Sequence, residues 1–110
     1  MKSTIIECPV TKAMNIIGGK WKIPIIFNLA EQTYRFGELK RKLPGITQQM
    51  LSKQLKELED HNMVSRKVYA EVPPKVEYTL TKTGTSAIPM IHAIASWSIN
   101  ELGTSEQHYL

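Results

Sequence analysis

Residues 46–62 read ITQQMLSKQLKELEDHN, and this stretch decides the fold. At 100° per residue, Leu51, Leu55 and Leu58 fall on one side of a helix, with the spacing of a face that packs on a core. Thr47 precedes the periodic residues and is predicted to cap the first free N–H groups. The opposite side carries polar side chains that can pair with base edges or phosphates, as in DNA readers: Gln49, Ser52, Lys53 and Lys56. A solvated surface helix has the same pattern, so the neighbouring segments must decide.

Positive charge is concentrated around this helix. The window from Arg35 to Lys56 holds six basic residues and one acidic residue, whereas the whole chain of 110 residues has a formal net charge of +4. The rest of the chain is therefore close to neutral. A localised positive patch is typical of proteins that displace counterions from phosphates. A hydrophobic content of 42% excludes a disordered chain.

The segments before residue 46 have the punctuation of short helices. The helix over residues 9–17 begins at Pro9 and is followed by Gly18-Gly19 as its stop. A second helix is predicted over residues 20–31, and Pro24 is tolerated there only if the helix starts near Trp21 or kinks at this position. Residues 34–36 are long enough only for a stub of strand. A third helix over residues 36–43 directs its basic side chains outward, and these are Lys40, Arg41 and Lys42. Pro44-Gly45 then breaks the chain, which predicts a helix-turn-helix with residues 46–62 as the second helix.

Two alternating segments follow residue 62 and predict a β-hairpin. Residues 63–72 place Val64, Val68 and Val72 on one face, and residues 75–80 place Val76, Tyr78 and Leu80 on one face. Pro73-Pro74 between them predicts a stiff tip. The hairpin has the position of a wing, and its positive residues are predicted to contact phosphate or the minor groove, unless they are merely solvated strand charges. These residues are Arg66, Lys67 and Lys75.

Short motifs spread from residue 8 to residue 97 carry a resemblance to a known family. They are Cys8-Pro9-Val10, Gly18-Gly19-Lys20-Trp21, Arg35-Phe36 with Glu38-Leu39, Pro44-Gly45-Ile46, Met50-Leu51 with Leu55 and Leu58, Val72-Pro73-Pro74, Val76-Glu77-Tyr78, Leu80-Thr81, Gly84, Pro89 and Trp97. In this order and spacing the chain resembles HxlR-type transcriptional regulators, a branch of the MarR-like winged-helix proteins. The resemblance implies a homodimeric bacterial DNA-binding regulator. The chain departs from the family pattern at Gln32 and Asn62, where glycine is common.

The C-terminal segment 82–102 predicts a long helix with a break near Pro89 and a stop at Gly103. Its apolar residues cover more than one face, so we expect burial against a second chain, together with the helix over residues 9–17. The alternative is burial in its own core. In a two-fold dimer the recognition helices would lie about 34 Å apart, one turn of DNA.

No enzymatic pattern is present in the sequence. His61, His92 and His108 lack metal-ligand spacing, and we expect neither a metal nor another cofactor. Glu57 to Asp60 is interpreted as a solvated acidic face. Without a signal segment or a membrane span, the chain is expected to be cytoplasmic.

Cys8, the single cysteine, lies at a predicted helix N-terminus, which favours the thiolate. It is a candidate sensor of oxidants or electrophiles, and the alternative is a partly buried residue at the dimer interface without a switching role.

The sequence thus predicts a mainly α fold with a small β-hairpin, a winged helix-turn-helix whose N- and C-terminal helices form a dimer interface. One domain spans residues 1–110, divided into N-terminal helices (8–31), helix-turn-helix (36–62), wing (64–80) and dimerisation helix (82–102). The expected function is a repressor on an inverted-repeat operator, and the alternative is a winged-helix protein-interaction module. The predicted DNA-contacting residues are Arg35, Arg41, Thr47, Gln48, Gln49, Ser52, Lys53, Lys56, Arg66, Lys67 and Lys75.

Overall fold

In a computed structural model, which describes residues 8–104, six helices surround a small sheet. Among these residues the helices are α1 (Pro9–Ile17), α2 (Lys22–Glu31), α3 (Phe36–Lys42), α4 (Gln48–Asp60), α5 (Lys82–Ser86) and α6 (Ile88–Leu102). The strands are β1 (Tyr34–Arg35), β2 (Val64–Tyr69) and β3 (Lys75–Leu80). The mainly helical winged fold predicted from the sequence is confirmed.

The core contains side chains of α2, α3 and α4, together with buried residues from α1, the sheet and α6. Leu51 and Leu58 are fully buried and Leu55 is 2% exposed, so the apolar face predicted from spacing is the buried face. Ile25 and Ile26 of α2 pack in the same cluster. Pro24 lies in the first turn of α2, where its missing N–H breaks no helical hydrogen bond.

The turn between α3 and α4 depends on Gly45. Its φ of +91° is left-handed, a conformation that glycine adopts without strain. Inside the turn, the Ile46 N–H donates to the Leu43 carbonyl oxygen at 3.1 Å. The chain therefore reverses within a few residues and delivers α4 at a fixed angle to α3.

Both ends of α4 agree with the sequence prediction. The Met50 N–H donates to Thr47 Oγ1 at 3.1 Å, which satisfies one of the free donors of the first turn. Beyond the C-terminus, Asn62 has a φ of +59°, so it replaces glycine in the left-handed position. The helix is thus fixed in length by local chemistry.

The sheet has three strands, in the order β1-β3-β2, and all pairs are antiparallel. Tyr34 pairs with Tyr78, so the short segment β1 joins the hairpin as an edge strand. Gln32, which ends α2, is extended, and no left-handed residue is needed at that departure from the family pattern.

The prediction that the first strand of the hairpin extends to Val72 and places it on one face with Val64 is wrong. Strand β2 ends at Tyr69, and Val72 is fully exposed in the wing tip, while Val64 is 2% exposed. Val68 is paired in the strand but remains 54% exposed. The hairpin extends past the helices that form the core, so alternation near its tip has nothing to bury against.

The first residues after the wing are tied to the end of α4. Thr81 Oγ1 donates to the Asn62 carbonyl oxygen at 2.6 Å and accepts from the Gly84 N–H at 3.0 Å, which caps α5. A Cβ at Gly84 would collide with the Met63 carbonyl oxygen. Helix α5 is therefore held close to the C-terminal end of α4.

The predicted long C-terminal helix is divided at Ala87 into α5 and α6, and Pro89 occupies the first turn of α6. Helix α6 ends at Gly103, whose φ is +70°. Ile91 is its one fully buried residue, whereas Trp97 is 59% exposed. Within residues 8–104, no helix combines the length and apolarity that crossing a bilayer requires.

Candidate nucleic-acid interface

The outer face of α4 presents the predicted base-reading side chains to solvent. Four exposed side chains follow the helix opposite the buried leucines, and these are Gln49, Ser52, Lys53 and Lys56. Thr47 and Gln48 are exposed at the N-terminal end of the helix. The first turn contains no acidic residue. The positive end of the helix dipole is therefore not offset by a carboxylate there, which favours approach to phosphate.

Helix α3 adds basic residues beside the turn. Lys40, Arg41 and Lys42 occupy its last turn and are exposed, where cations also stabilise the negative end of the helix dipole. At the other end of α3, the Arg35 backbone N–H donates to Glu38 Oε1 at 2.8 Å. The Arg35 side chain is left at the surface of the sheet.

A cleft of about 280 Å³ separates α4 from the wing. Its walls come from α4, β2 and β3 and consist of five residues: Ser52, Lys56, Glu59, Arg66 and Tyr78. Arg66 is thereby the predicted wing residue that lies beside the recognition helix. The cleft therefore holds two cations, of which Lys56 is paired with Asp60, together with the carboxylate of Glu59.

The three predicted wing cations do not lie on one face. Arg66 pairs with the buried Tyr78, so it belongs to the face of the sheet that is turned toward α4. Lys67 pairs with Glu77, the next residue of β3, whose side chain is on the opposite face, hereafter the outer face of the wing. Arg35 of β1 pairs with the same glutamate from the other side.

Glu77 organises this outer face. The Tyr69 hydroxyl donates to Glu77 Oε1 at 2.9 Å, and Lys75 Nζ lies 3.5 Å from Glu77 Oε2. These contacts, led by the tyrosine hydrogen bond, lower the pKa of Glu77. The ammonium groups of Lys67 and Lys75 lie 4.9 Å and 4.7 Å from the centre of the Tyr69 ring. Lys75 is therefore partly engaged within the protein, whereas Lys67 is exposed.

The acidic end of α4 is not simply solvated, and that interpretation was wrong. Glu57 Oε1 lies 2.6 Å from Nζ of Lys22, a buried lysine of α2, and Asp60 Oδ1 lies 2.8 Å from Lys56 Nζ. Hydrogen bonding to Lys22 lowers the pKa of Glu57, and hydrogen bonding to Asp60 raises the pKa of Lys56. Helix α4 is thus tied to α2 by charge as well as by its leucines.

Lys22 was missed in the sequence because a lysine is expected at the surface. A usable signal exists, since Lys22 precedes Ile25 and Ile26 by three and four residues and therefore lies on their side of α2. A lysine at such a position needs a carboxylate partner.

Cys8 is exposed at the N-terminus of α1, as predicted. Hydrogen bonding to the backbone N–H groups of Thr11 and Val10 lowers the pKa of the thiol. The nearest acidic residue, Glu7, and His108 lie outside the described residues. Over residues 8–104, no group of three or more His, Cys, Asp or Glu side chains is placed to hold a metal ion.

Comparison with known proteins identifies close relatives. The model of the HxlR-like helix-turn-helix family matches residues 16–106. An HTH-type transcriptional regulator of Methanothermobacter thermautotrophicus is 48% identical over 90 residues, which are 82% of this chain and 69% of the relative. The crystal structure of the HTH-type regulator ytcD superposes with a TM-score of 0.84 at 41% identity, covering 89% of this chain and all of that one. The redox regulator HypR in its oxidised form gives a TM-score of 0.78 at 44% identity, covering 83% and 94%.

Proposed function

This chain belongs to the HxlR-like helix-turn-helix family of transcriptional regulators, and from that premise we propose that it is a homodimeric repressor that binds an inverted-repeat operator. Helix α4 reads bases in the major groove, and the wing contacts the adjacent backbone. The relatives are regulators rather than enzymes.

The observation that carries this proposal is the division of α4 into two faces. Three leucines are buried while the opposite side exposes Gln49, Ser52 and Lys53 between cations of α3 and the wing. Gln can pair bidentately with adenine, and Lys pairs with guanine or phosphate. Because the helix is capped and backed by the core, these side chains approach DNA from a rigid element.

Dimerisation is supported by apolar side chains that the chain does not cover. On α6, Ile94, Trp97 and Leu102 are 48%, 59% and 61% exposed, and on α1 Val10 and Met14 are 68% and 51% exposed. Single exposed apolar residues are ordinary, but a cluster on two helices is typical of an interface. A two-fold dimer through these helices would present two copies of α4 to one side of a DNA duplex.

Selection of bound genomic fragments by the purified protein tests the proposal. We expect an inverted repeat whose affinity falls steeply with salt. Gln49→Ala and Ser52→Ala should remove most of the preference for that repeat over a scrambled duplex. Lys53→Ala and Arg66→Ala should weaken binding to both duplexes and reduce the salt slope by about 2 each, because a homodimer loses one phosphate contact in each subunit.

Failure of the protein to retain any genomic fragment at low salt would reject operator binding. It would favour the winged-helix protein-interaction module instead. Equal retention of the repeat and the scrambled duplex would reject sequence-specific reading while leaving DNA binding intact.

We also propose that Cys8 senses oxidants or electrophiles, since it is exposed, its thiol pKa is lowered, and one similar structure is of a redox regulator. Diamide removes two electrons and two protons from two thiols and leaves a disulfide. With one cysteine per chain, that bond joins Cys8 of two subunits, or Cys8 and a small thiol. The new bond shifts the two recognition helices relative to each other and lowers operator affinity.

Diamide should release the operator from the native protein and leave the Cys8→Ser variant bound. Equal release from both proteins would reject the sensing role without affecting the proposal of operator binding. Mass spectrometry of the treated protein distinguishes an intersubunit disulfide from a mixed disulfide.

A further inference from the structure

The wing carries cations on both of its faces, and the two sets of cations lie beside different residues. Arg66 lines the cleft beside Ser52 and Lys56 of α4. Lys67 and Lys75 are on the outer face, where the register of β2 and β3 puts Lys67 opposite Glu77 and Lys75 opposite Tyr69. The hairpin therefore separates two positive surfaces.

Tyr69 lies at the centre of the outer set. Both lysine ammonium groups are within 5 Å of its ring centre, at 4.9 Å and 4.7 Å, a distance at which a cation is attracted to the face of an aromatic ring. The hydroxyl of the same ring is bonded to Glu77, and Glu77 is flanked in the sheet by Arg35 and Lys67. One half-buried tyrosine thus restricts two long, flexible cationic side chains.

Ordering of these lysines matters because a free lysine loses side-chain entropy when it binds a phosphate. A lysine already held over a ring has lost part of that entropy. The surrounding charge remains favourable to an anion, since Arg35, Lys67 and Lys75 outnumber Glu77 on this face.

We infer that Tyr69, fixed by its hydrogen bond to Glu77, is a positioning residue. It holds Lys67 and Lys75 together to contact phosphates of one DNA strand, while Arg66 on the opposite face of the wing contacts phosphates of the other strand. This inference rests on the proposed DNA-binding function. The minor groove is about 6 Å wide between its two backbones, so a hairpin tip directed into it has one backbone beside each face. The two faces of the wing would then read the two rims of one groove.

Duplexes with single neutral methylphosphonate linkages test the division between strands. Starting from the duplex selected with the wild-type protein, each linkage on either strand is replaced in turn and the affinity is measured. Wild type should lose affinity at positions on both strands. Within each half-site, the Lys67→Ala/Lys75→Ala variant should become insensitive to linkages beside the wing on one strand, and Arg66→Ala should become insensitive to those on the other strand, with the strands exchanged in the second half-site by the two-fold symmetry. Insensitivity of both variants on the same strand of one half-site would overturn the assignment.

Two substitutions of Tyr69 test the positioning role. Tyr69→Leu removes the ring and should weaken binding about threefold to tenfold, with a smaller salt slope, because two cation–ring contacts are lost. Tyr69→Phe keeps the ring and loses the hydrogen bond to Glu77, so it should weaken binding by about twofold or less, since ring–cation attraction needs no hydroxyl. An effect of Tyr69→Phe equal to that of Tyr69→Leu would overturn the role of the ring.

A double-variant comparison separates positioning from general support of the wing. In the Lys67→Ala/Lys75→Ala background, Tyr69→Leu should cause no further loss of affinity, because the side chains that it positions are gone. A further loss equal to that in the wild-type background would show that Tyr69 acts only through the fold, and thermal unfolding of each variant checks that fold. If wild type binds no duplex, the proposed function itself fails; if wild type binds but the lysine variant is unchanged, only this inference fails.

Discussion

Helices α4 and α6 are the two longest helices within residues 8–104, and they differ in how far their apolar residues are buried. Leu51, Leu55 and Leu58 of α4 are buried in the chain itself. Helix α6 is richer in apolar residues over 15 positions, yet Ile91 alone is fully buried and Trp97 is 59% exposed. The apolar face of α4 is thus buried within the chain, whereas much of the apolar surface of α6 is exposed.

The difference indicates where each helix obtains its stability. A helix with a narrow apolar face needs one surface to pack on, and α2 and β2 provide it for α4. A helix that is apolar on several sides needs further cover, which a domain of this size does not supply for α6. We therefore propose that α4 contributes to the stability of the monomer and that α6 contributes to the association of two monomers.

The largest effect is expected from Leu55→Ala in α4. Leu55 is 2% exposed, and its truncation leaves a cavity between α4 and the helices beneath it, which should cost about 2–5 kcal/mol of unfolding free energy. Ile94→Ala in α6, at 48% exposure, is the matched control and should change monomer stability by about 0.5 kcal/mol or less. Denaturant unfolding at concentrations below the dimer dissociation constant measures both, and similar losses would contradict the contrast between the helices.

The second effect reverses that order. Trp97→Ala should weaken dimerisation by about 2 kcal/mol, roughly 30-fold in the dissociation constant, because exposed aromatic residues at the centre of an interface dominate its energy. Sedimentation equilibrium measures the change, and Gln49→Ala on the exposed face of α4 serves as the control that should leave association unaltered. A wild-type protein that is monomeric at micromolar concentration would contradict the assignment of α6.

The third effect concerns the start of α4. Thr47→Ala removes the acceptor for the Met50 N–H and should cost about 1 kcal/mol, whereas Thr47→Ser keeps an oxygen at the same place and should cost little. Thermal unfolding of the two variants gives the comparison. If the serine and alanine variants lose equal stability, the methyl group of Thr47 rather than its hydroxyl supports the helix.

What the sequence predicts well in this molecule is chemistry that acts over a few residues. The Thr47 cap, the Gly45 turn and the left-handed Asn62 each depend on neighbours within one helical turn, and all three are found as expected. The spacing of the leucines in α4 adds a helical period to these signals. Together they predict the helix-turn-helix without any tertiary contact.

What the sequence did not predict is contact between residues distant in the chain. Strand β1 consists of Tyr34 and Arg35, which are too few for an alternating pattern to show that they pair with β3. No local pattern shows that Lys22 forms an ion pair with Glu57. The prediction at Val72 is wrong for a different reason: the apolar alternation in the sequence continues into the wing tip, where Val72 is fully exposed. The residues proposed to contact DNA and the dimer surface stay predictions.

The smallest effect tests whether the ion pair between Glu57 and Lys22 also holds α4 to α2. The pKa of Glu57 is lowered in the folded protein, chiefly by its hydrogen bond with Lys22. The ionised carboxylate therefore stabilises the fold at any pH above the ordinary pKa of a glutamate, and this stabilisation is lost as pH falls through the lower folded pKa. Glu57→Gln should therefore lose less stability than wild type between pH 6 and pH 3. Lys22→Met should show the same flattened profile of stability against pH while keeping its buried stem packed, because either change removes the ion pair.

Because Glu77 also has a lowered pKa, Glu77→Gln should flatten the profile of stability against pH by its own amount and add to the change from Glu57→Gln. Urea unfolding across this pH range distinguishes these results, and a profile in Glu57→Gln parallel to wild type would show that α4 is held to α2 by apolar packing alone.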